Sequence, residues 1–406
     1  MLRRTPLRLR TFRHLASAYT INELGNWIGD VALAILVFDR TGSPVATAVL
    51  FVALRFAPAL LAPLLTTRIE ILPARRVLPA LHLGEALIFG AIALLAHSFS
   101  LPAVLALAAL DGMLAIAAKA LTRSATAALL SVHDLLRQGN AILNFGFTAG
   151  GALGPALAGL LVGAAGPGAA LALDAASFAI VAAILATATE LRLDSGEASS
   201  SWGRLRAGLS ELANRPAARR LVFGTAAALL FAAAVIPIEV VFAKRTLHAG
   251  DSGYGLLIGA WGVGMILGSA VFAVAGRVRL MVVILGGIAL IAAGYAGLAV
   301  SPTLAVACAF SAVGGIGNGV WWIAVITALQ QSIPTTAQSA VMAVLESSNQ
   351  LMPAIGFILG GAITAIGSPR TAYAFSAAGV ALVLLVTAAR PVGSLDVSVS
   401  VAETLD

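Results

Sequence analysis

Apolar residues follow one another along this chain in long runs, and the breaks between the runs are short and either polar or rich in proline and glycine. The runs predict helices near 16–38, 45–67, 77–97, 101–121, 139–163, 168–190, 220–242, 253–276, 280–299, 302–328, 338–364 and 371–389. Each reaches about the 20 residues that a helix needs to cross the hydrocarbon core of a bilayer. One connection differs from the rest. Segment 191–219 carries Asp194, Glu197, the run SSSW, Arg204, Arg206 and Arg219, and it divides the runs six and six. The expected organisation is an N-terminal arm (1–14), a six-helix half (15–190), a linker (191–219), a second six-helix half (220–390) and a tail (391–406), the two halves being α-helical and embedded in a lipid bilayer and the arm, linker and tail lying outside it.

Composition strengthens this reading. Of 406 residues, 60% are apolar and 11% charged, against roughly 45–50% and 25% in soluble globular chains. A water-soluble fold of this size cannot hide that much apolar surface. The start MLRRTPLRLRTFRH looks like the basic region of a signal peptide, but the stretch after it is interrupted by Asn22, Glu23, Asn26 and Asp30, so a retained first helix is expected.

The net charge of +7 comes mostly from arginine, Lys119 and Lys244 being the only lysines. Counting alternate connections, one face of the membrane receives nineteen Lys/Arg if Arg220 at the linker's edge is included, and the other face four: Arg40, Lys244, Arg245 and Arg370. Cytoplasmic loops collect positive charge, so both termini are expected in the cytoplasm of a multi-pass protein of the inner (plasma) membrane. Nucleic acid is excluded as a partner, because the basic residues are scattered over several loops and form no single patch with aromatics. The single cysteine, Cys308, leaves no disulfide framework and no thiol cluster for a metal.

An internal repeat is faintly visible between NFGFTAGGALGPALAG (144–159) and NQLMPAIGFILGG (349–361). Two six-helix halves in parallel repetition are the architecture of major facilitator transporters. The chain resembles that superfamily, and within it the branch of macrolide-efflux and enterobactin-exporter-like proteins, over roughly residues 15–390. Four stretches carry the likeness: residues 29–65 with the turn TGSP and Leu54, Arg55, Phe56, Ala57, Pro58; GGALGPALAG (150–159), close to the GxxxGPxxGG motif of exporters; ARRVL (74–78); and YGLLIGAWGVGMILGS (254–269). The superfamily's cytoplasmic loop motif is degenerate here, with Thr66 for the first glycine and Glu70 for the aspartate ahead of Arg75 and Arg76. The resemblance implies that Gly150, Gly154, Pro155 and Gly159 serve gating and export, while their chemistry alone is equally that of close helix packing.

Ionisable groups at membrane depth are costly, and they usually face a bundle interior or a watery cavity. Glu23, Asn26 and Asp30 share one face of the first helix, extended by Asn22. Arg55, mid-way along the second helix, needs a carboxylate partner, for which Asp30 and Glu23 are the candidates, and their pairing reads equally as a structural staple. His82 and Glu85 lie one turn apart in the third helix, and Asp111 falls mid-membrane in the fourth. In the second half Glu346, Asn349, Gln350 and Pro353 form a stripe, and Asn318 and Trp322, next to Trp321, form a patch. Asp30, then Glu346, Glu23 and Asp111 are the candidate proton-coupling residues. Asn26, Asn144, Asn318, Trp322, Asn349 and Gln350 are the candidate cavity residues.

Enzyme chemistry finds no support. GVG at 262–264 lacks the strand context of a dinucleotide site and reads as helix packing, and no phosphate-binding loop, metal-ligand motif or nucleophile elbow occurs, so no cofactor and no metal are expected. The expected activity is secondary active transport by a monomer, exporting amphipathic small organic compounds against protons. A nutrient importer and a non-transporting sensor or assembly protein on the same fold are the alternatives.

Overall fold

The computed structural model describes residues 5–58, 74–132, 135–188, 201–274 and 278–389. While positions 59–67 of the second run lie outside the described residues, most of the predicted runs appear as long helices. They are α1 (Arg10–Thr41), α2 (Pro44–Phe51, continued by a π-helical turn, Val52–Phe56), α3 (Ala74–Leu95), α4 (Leu101–Ser131), α5 (Leu136–Ala186), α6 (Ser201–Asn214), α7 (Pro216–Ala233), α8 (Gly250–Val274), α9 (Leu280–Val300), α10 (Leu304–Ser332), α11 (Thr335–Ile366) and α12 (Pro369–Ala388). Ten helices among the described residues are long and apolar enough to cross a membrane, and Pro44–Phe56 is a shorter apolar one. The described residues form an all-α bundle of long apolar helices, as a polytopic membrane protein requires.

Several helices outrun their apolar stretches, because polarity ends a run without ending a helix. α4 continues through Arg123 and Ser124 to Ser131, where the Thr126 hydroxyl donates back to Thr122 O at 2.8 Å. α5 covers 51 residues as two helical stretches joined at a kink, where Gly166 has the non-helical conformation φ 82° and ψ 165°. That region of backbone space is essentially closed to residues with a Cβ. Pro167 follows, with its φ already set for a new helix. A straight helix of this length would run ~75 Å, far beyond a hydrocarbon core of ~30 Å, so Gly166 separates the two spans that the sequence predicts.

The chain divides into two compact units, one formed by residues 1–197 and 249–259, the other by 198–248 and 260–406. In the first, α5 lies along α1. A Cβ at Gly150 would meet the backbone of Glu23 and Leu24 at 3.1–3.2 Å, and one at Gly154 would meet Trp27 Cβ at 2.5 Å. Lipid tails give helices no hydrophobic reason to associate, so such close backbone approach is what holds them. Around it Leu15 and Ala18 of α1, Leu78 and Leu81 of α3, Ala117 and Leu121 of α4, and Val181 and Leu185 of α5 form one buried apolar cluster.

The second unit repeats the device. Gly356 of α11 packs on Leu230 and Ala233 of α7, and Gly360 packs on Ala234. Gly264 and Gly268 of α8 sit against Ala312 and Ile316 of α10, which gives the GVG segment its packing role. Part of the linker is helical: α6 lays Gly208 against Ala340 and Val344 of α11 and buries Leu212. Large apolar side chains such as Leu87, Leu94, Phe145, Ile366 and Leu385 stay exposed along the helices, as a hydrocarbon surrounding requires.

Two arginines close helix ends. Arg40 of α1 donates to Ala96 O just past the end of α3. Arg370 of α12 donates to Ala299 O at 2.8 Å and Ser301 O at 2.7 Å at the end of α9. The last carbonyls of a helix have no partner within it and carry its negative dipole end.

Candidate functional site

The polar residues of the first unit converge on its interior from five elements. Arg55 occupies the π turn after α2, a local widening of the helix that recurs at functional sites. Its guanidinium donates to Asp30 of α1. The two side chains are 55% and 18% exposed, so this pair sits at the open edge of the polar group. Deeper in, His82 Nδ1 and Glu85 Oε2 of α3 lie 2.6 Å apart and both residues are buried. The His82 ring stacks at 6.3 Å on Phe178 of α5.

Asp111 of α4 is buried, and its Oδ1 has no hydrogen-bond partner. It stands within electrostatic range of Glu85, Asp30 and Arg55. The neighbouring Gly112 lets α4 come against Leu54 O and Pro58 of the second helix, at 2.5 Å from Pro58 Cγ to a notional Cβ. Asp174 of α5 is 1% exposed. Its Oδ1 accepts from the Ser177 hydroxyl at 3.0 Å, and its Oδ2 has no partner. The side chain fits only because Gly25 and Gly29 of α1 have none: a Cβ at Gly25 would run into Asp174 Oδ1 and Ser177 Oγ, and one at Gly29 into Asp174 Oδ2.

The remaining predicted residues of this unit lie around that centre. Glu23 is buried and pairs with Lys119 Nζ at 3.4 Å, so it is not the partner of Arg55. Lys119 also lies 5.2 Å from the centre of the Phe147 ring. Asn26 is half-buried, and Asn22 Oδ1 is buried without a partner. Asn144 is exposed, its carbonyl accepting from Thr148 at 2.8 Å. Of the motif glycines, Gly150 and Gly154 face α1. Gly159, one turn beyond Pro155, instead faces the start of α8, with Gly255 Cα 2.9 Å from where its Cβ would stand. Arg75 and Arg76 are exposed at the start of α3. Glu70 lies outside the described residues.

The second unit holds less that is polar. Glu346 is exposed and accepts from Gln350 at 3.2 Å, with Asn349 half-buried beside them. Asn318 donates to Met265 Sδ at 3.7 Å, and Trp322 meets the buried Trp321 edge-on at 6.0 Å. Sequence reasoning passes over two acids. Glu239 stands where the span after α7 breaks into a 3₁₀ turn at Ile236–Ile238 and resumes, near Tyr295, whose ring stacks on Trp261 at 5.4 Å. Asp174 is the other. It lies alone among apolar neighbours with Ser177 one turn on, and the signal was the pairing of that acid with a glycine pair, Gly25 and Gly29, spaced one turn apart on another helix.

A polar interior of this kind, inside a bundle of apolar helices, can bind and move charge across a membrane. The family model for transmembrane secretion effectors, of the major facilitator group, matches residues 3–402. No curated protein matches the chain. Among solved structures the chain is similar to the nucleoside transporter NupG, at 14% identity and a TM-score of 0.75 over 93% of this chain and 98% of that one. It is similar as well to a bacterial homologue of the iron transporter ferroportin, at 16% identity and 0.70 over 94% and 98%. A third likeness is to a bacterial homologue of the lysosomal transporter Spinster, at 16% and 0.66 over 95% and 96%. These likenesses show the fold; the match over nearly its whole length shows that the chain belongs to the transmembrane secretion effector family of major facilitator transporters and is a multi-pass membrane transport protein, not an enzyme.

Proposed function

We propose that this transporter is a secondary active exporter of amphipathic small organic compounds, driven by inward flow of protons and working by alternating access. The observation that carries the reading is the Asp30–Arg55 pair at the edge of a polar interior that also holds Glu85, Asp111 and Asp174. A guanidinium keeps its charge, so the state of this pair changes only when Asp30 gains or loses a proton or when α1 and the π turn move apart. A substrate or a helix movement that separates the two groups frees Arg55 to bind an anion and Asp30 to take up a proton. Nothing in the sequence supplies nucleotide hydrolysis, so the gradient is the energy source. The outward direction is supported by the GGALGPALAG motif and by the family's description as secretion effectors.

Everted membrane vesicles test the reading with ethidium as the probe. Energised vesicles holding the wild-type protein accumulate the dye, and collapsing the proton gradient releases it. Asp30→Asn lowers gradient-driven accumulation at least tenfold while the protein is still made and inserted. Full transport by Asp30→Asn with an unchanged pH profile would reduce Asp30 to a hydrogen-bond partner of Arg55. Failure to accumulate any of a broad dye panel would favour an importer.

A further inference from the structure

Four carboxylates, those of Asp30, Glu85, Asp111 and Asp174, lie within electrostatic reach of one another in the first unit. Their cationic company among the described residues is Arg55, which is committed to Asp30, while the His82 ring is in contact with Glu85. Lys119 is spent on Glu23. Even with the His82 ring counted as charged, Asp111 and Asp174 have no ion-pair partner of their own among the described residues. Burying an unpaired carboxylate as an anion costs far more than burying it as a neutral acid, and breaking a buried charge balance is strongly destabilising.

Asp174 is the more enclosed of the two. From α1 it is met by Gly25 and Gly29, with Asp30 the charged residue of that helix in range; from α3 by Phe89, which shares contact with Gly29, and by Glu85 of the His82–Glu85 pair; from α4 by Asp111; and from α5 itself by Ser177. Among the described residues one hydroxyl is its hydrogen-bond donor, and one carboxylate oxygen has none. No three acidic, histidine or cysteine side chains among the described residues converge closely enough to hold a metal ion. The acids are thus near enough to feel one another's charge and too dispersed to share a cation.

We infer that Asp174, seated on the Gly25–Gly29 pair of α1, is a proton-binding residue of the transporter and carries its proton in this conformation. Its use in transport rests on the proton-coupled reading above; its protonation does not. Because α1 forms one wall of the seat, sliding α1 along α5 uncovers Asp174 to solvent and to Asp111, and the proton then leaves from Oδ2. Asp30 and Arg55 form the outer gate of the same interior, and Asp174 is its store.

Infrared spectroscopy of the full-length protein in lipid vesicles reads this directly and needs no substrate. The wild type shows a protonated-carboxyl C=O stretch near neutral pH that shifts in heavy water. Asp174→Asn, nearly equal in size, loses at least half of that band, whereas Asp30→Asn retains it. Ser177→Ala removes the hydroxyl donor and moves the band to higher frequency, which keeps the assignment testable should Asp174→Asn fail to fold. Absence of the band in the wild type, its full retention in Asp174→Asn, no movement in Ser177→Ala, or a response to sodium and not to pH would each overturn the inference. A protein that shows the band and exports nothing refutes the exporter reading alone. A proton-driven exporter without the band refutes the assignment of Asp174 alone.

Discussion

At the scale of single residues, the first unit is organised around two missing side chains. Gly25 and Gly29 turn one stripe of α1 into a trough, and the Asp174 side chain occupies it. Gly29→Ala would drive a methyl group into Asp174 Oδ2 and to 2.6 Å from Phe89 Cε1. Overpacking of this kind costs about 1–3 kcal/mol, which should appear as a lowered melting temperature of the purified protein in detergent. The same substitution made together with Asp174→Ala should cost less than the sum of the two single changes, because the clash and the side chain that suffers it are coupled. Strict additivity would mean that the two do not touch. The Asp30–Arg55 pair shows what the sequence reveals at this scale: an arginine in an apolar run demands a carboxylate, and the adjoining first helix offers Asp30 and Glu23. Asp174 shows what it conceals. An acid among alanines announces a polar interior but not which helix makes room for it, and that depends on how Gly25 and Gly29 are turned.

At the scale of elements, the ends of the helices were harder to read than their middles. The apolar runs locate the spans, yet α1, α4 and α11 extend beyond them, since backbone hydrogen bonding continues through Arg, Ser and Thr once the chain has left hydrocarbon. The joint at Gly166 and Pro167 is legible as a Gly-Pro break, and the break within the span after α7 is announced by Pro237. The π turn at Val52–Phe56 is not, because no residue type signals it. End capping by side chains from other helices is likewise invisible in sequence. Arg370 supplies two charge-assisted hydrogen bonds to the end of α9. Arg370→Ala should therefore lower stability by about 2 kcal/mol, within the range for bonds to charged groups, and Arg370→Lys, which can satisfy one carbonyl at a time, by less. Equal melting temperatures for all three proteins would show that water serves those carbonyls as well as arginine does.

At the scale of the whole molecule, charge distribution carries the orientation. Nineteen basic residues against four predict that both termini lie in the cytoplasm. In a Cys308→Ser background, Val45→Cys should react with an impermeant maleimide added to intact cells, and Ser199→Cys only after the membrane is opened. Labelling of both from the same side would reverse or refute the topology. Of the expected linker, the part from 198 onward groups with the second unit, where its helix α6 packs on α11. A polar segment between two apolar halves reads as a spacer, and the amphipathic turn that docks it is evident only once α11 is in place.

The glycine ridges bear on descent. Gly150 and Gly154 rest on Leu24 and Trp27, and Gly356 and Gly360 rest on Leu230 and Ala234, at the same spacing along the two halves of the chain. Carried across at that offset, Asp30 falls on Ile236, His82 on Ile288 and Glu85 on Ile291. An ancestral half, copied and fused, would have handed its ridge to both offspring. Those three ionisable groups stand in one of them alone, so whichever sibling changed did so after the copying. Scaffold is the common inheritance here, and chemistry the private acquisition or the private loss.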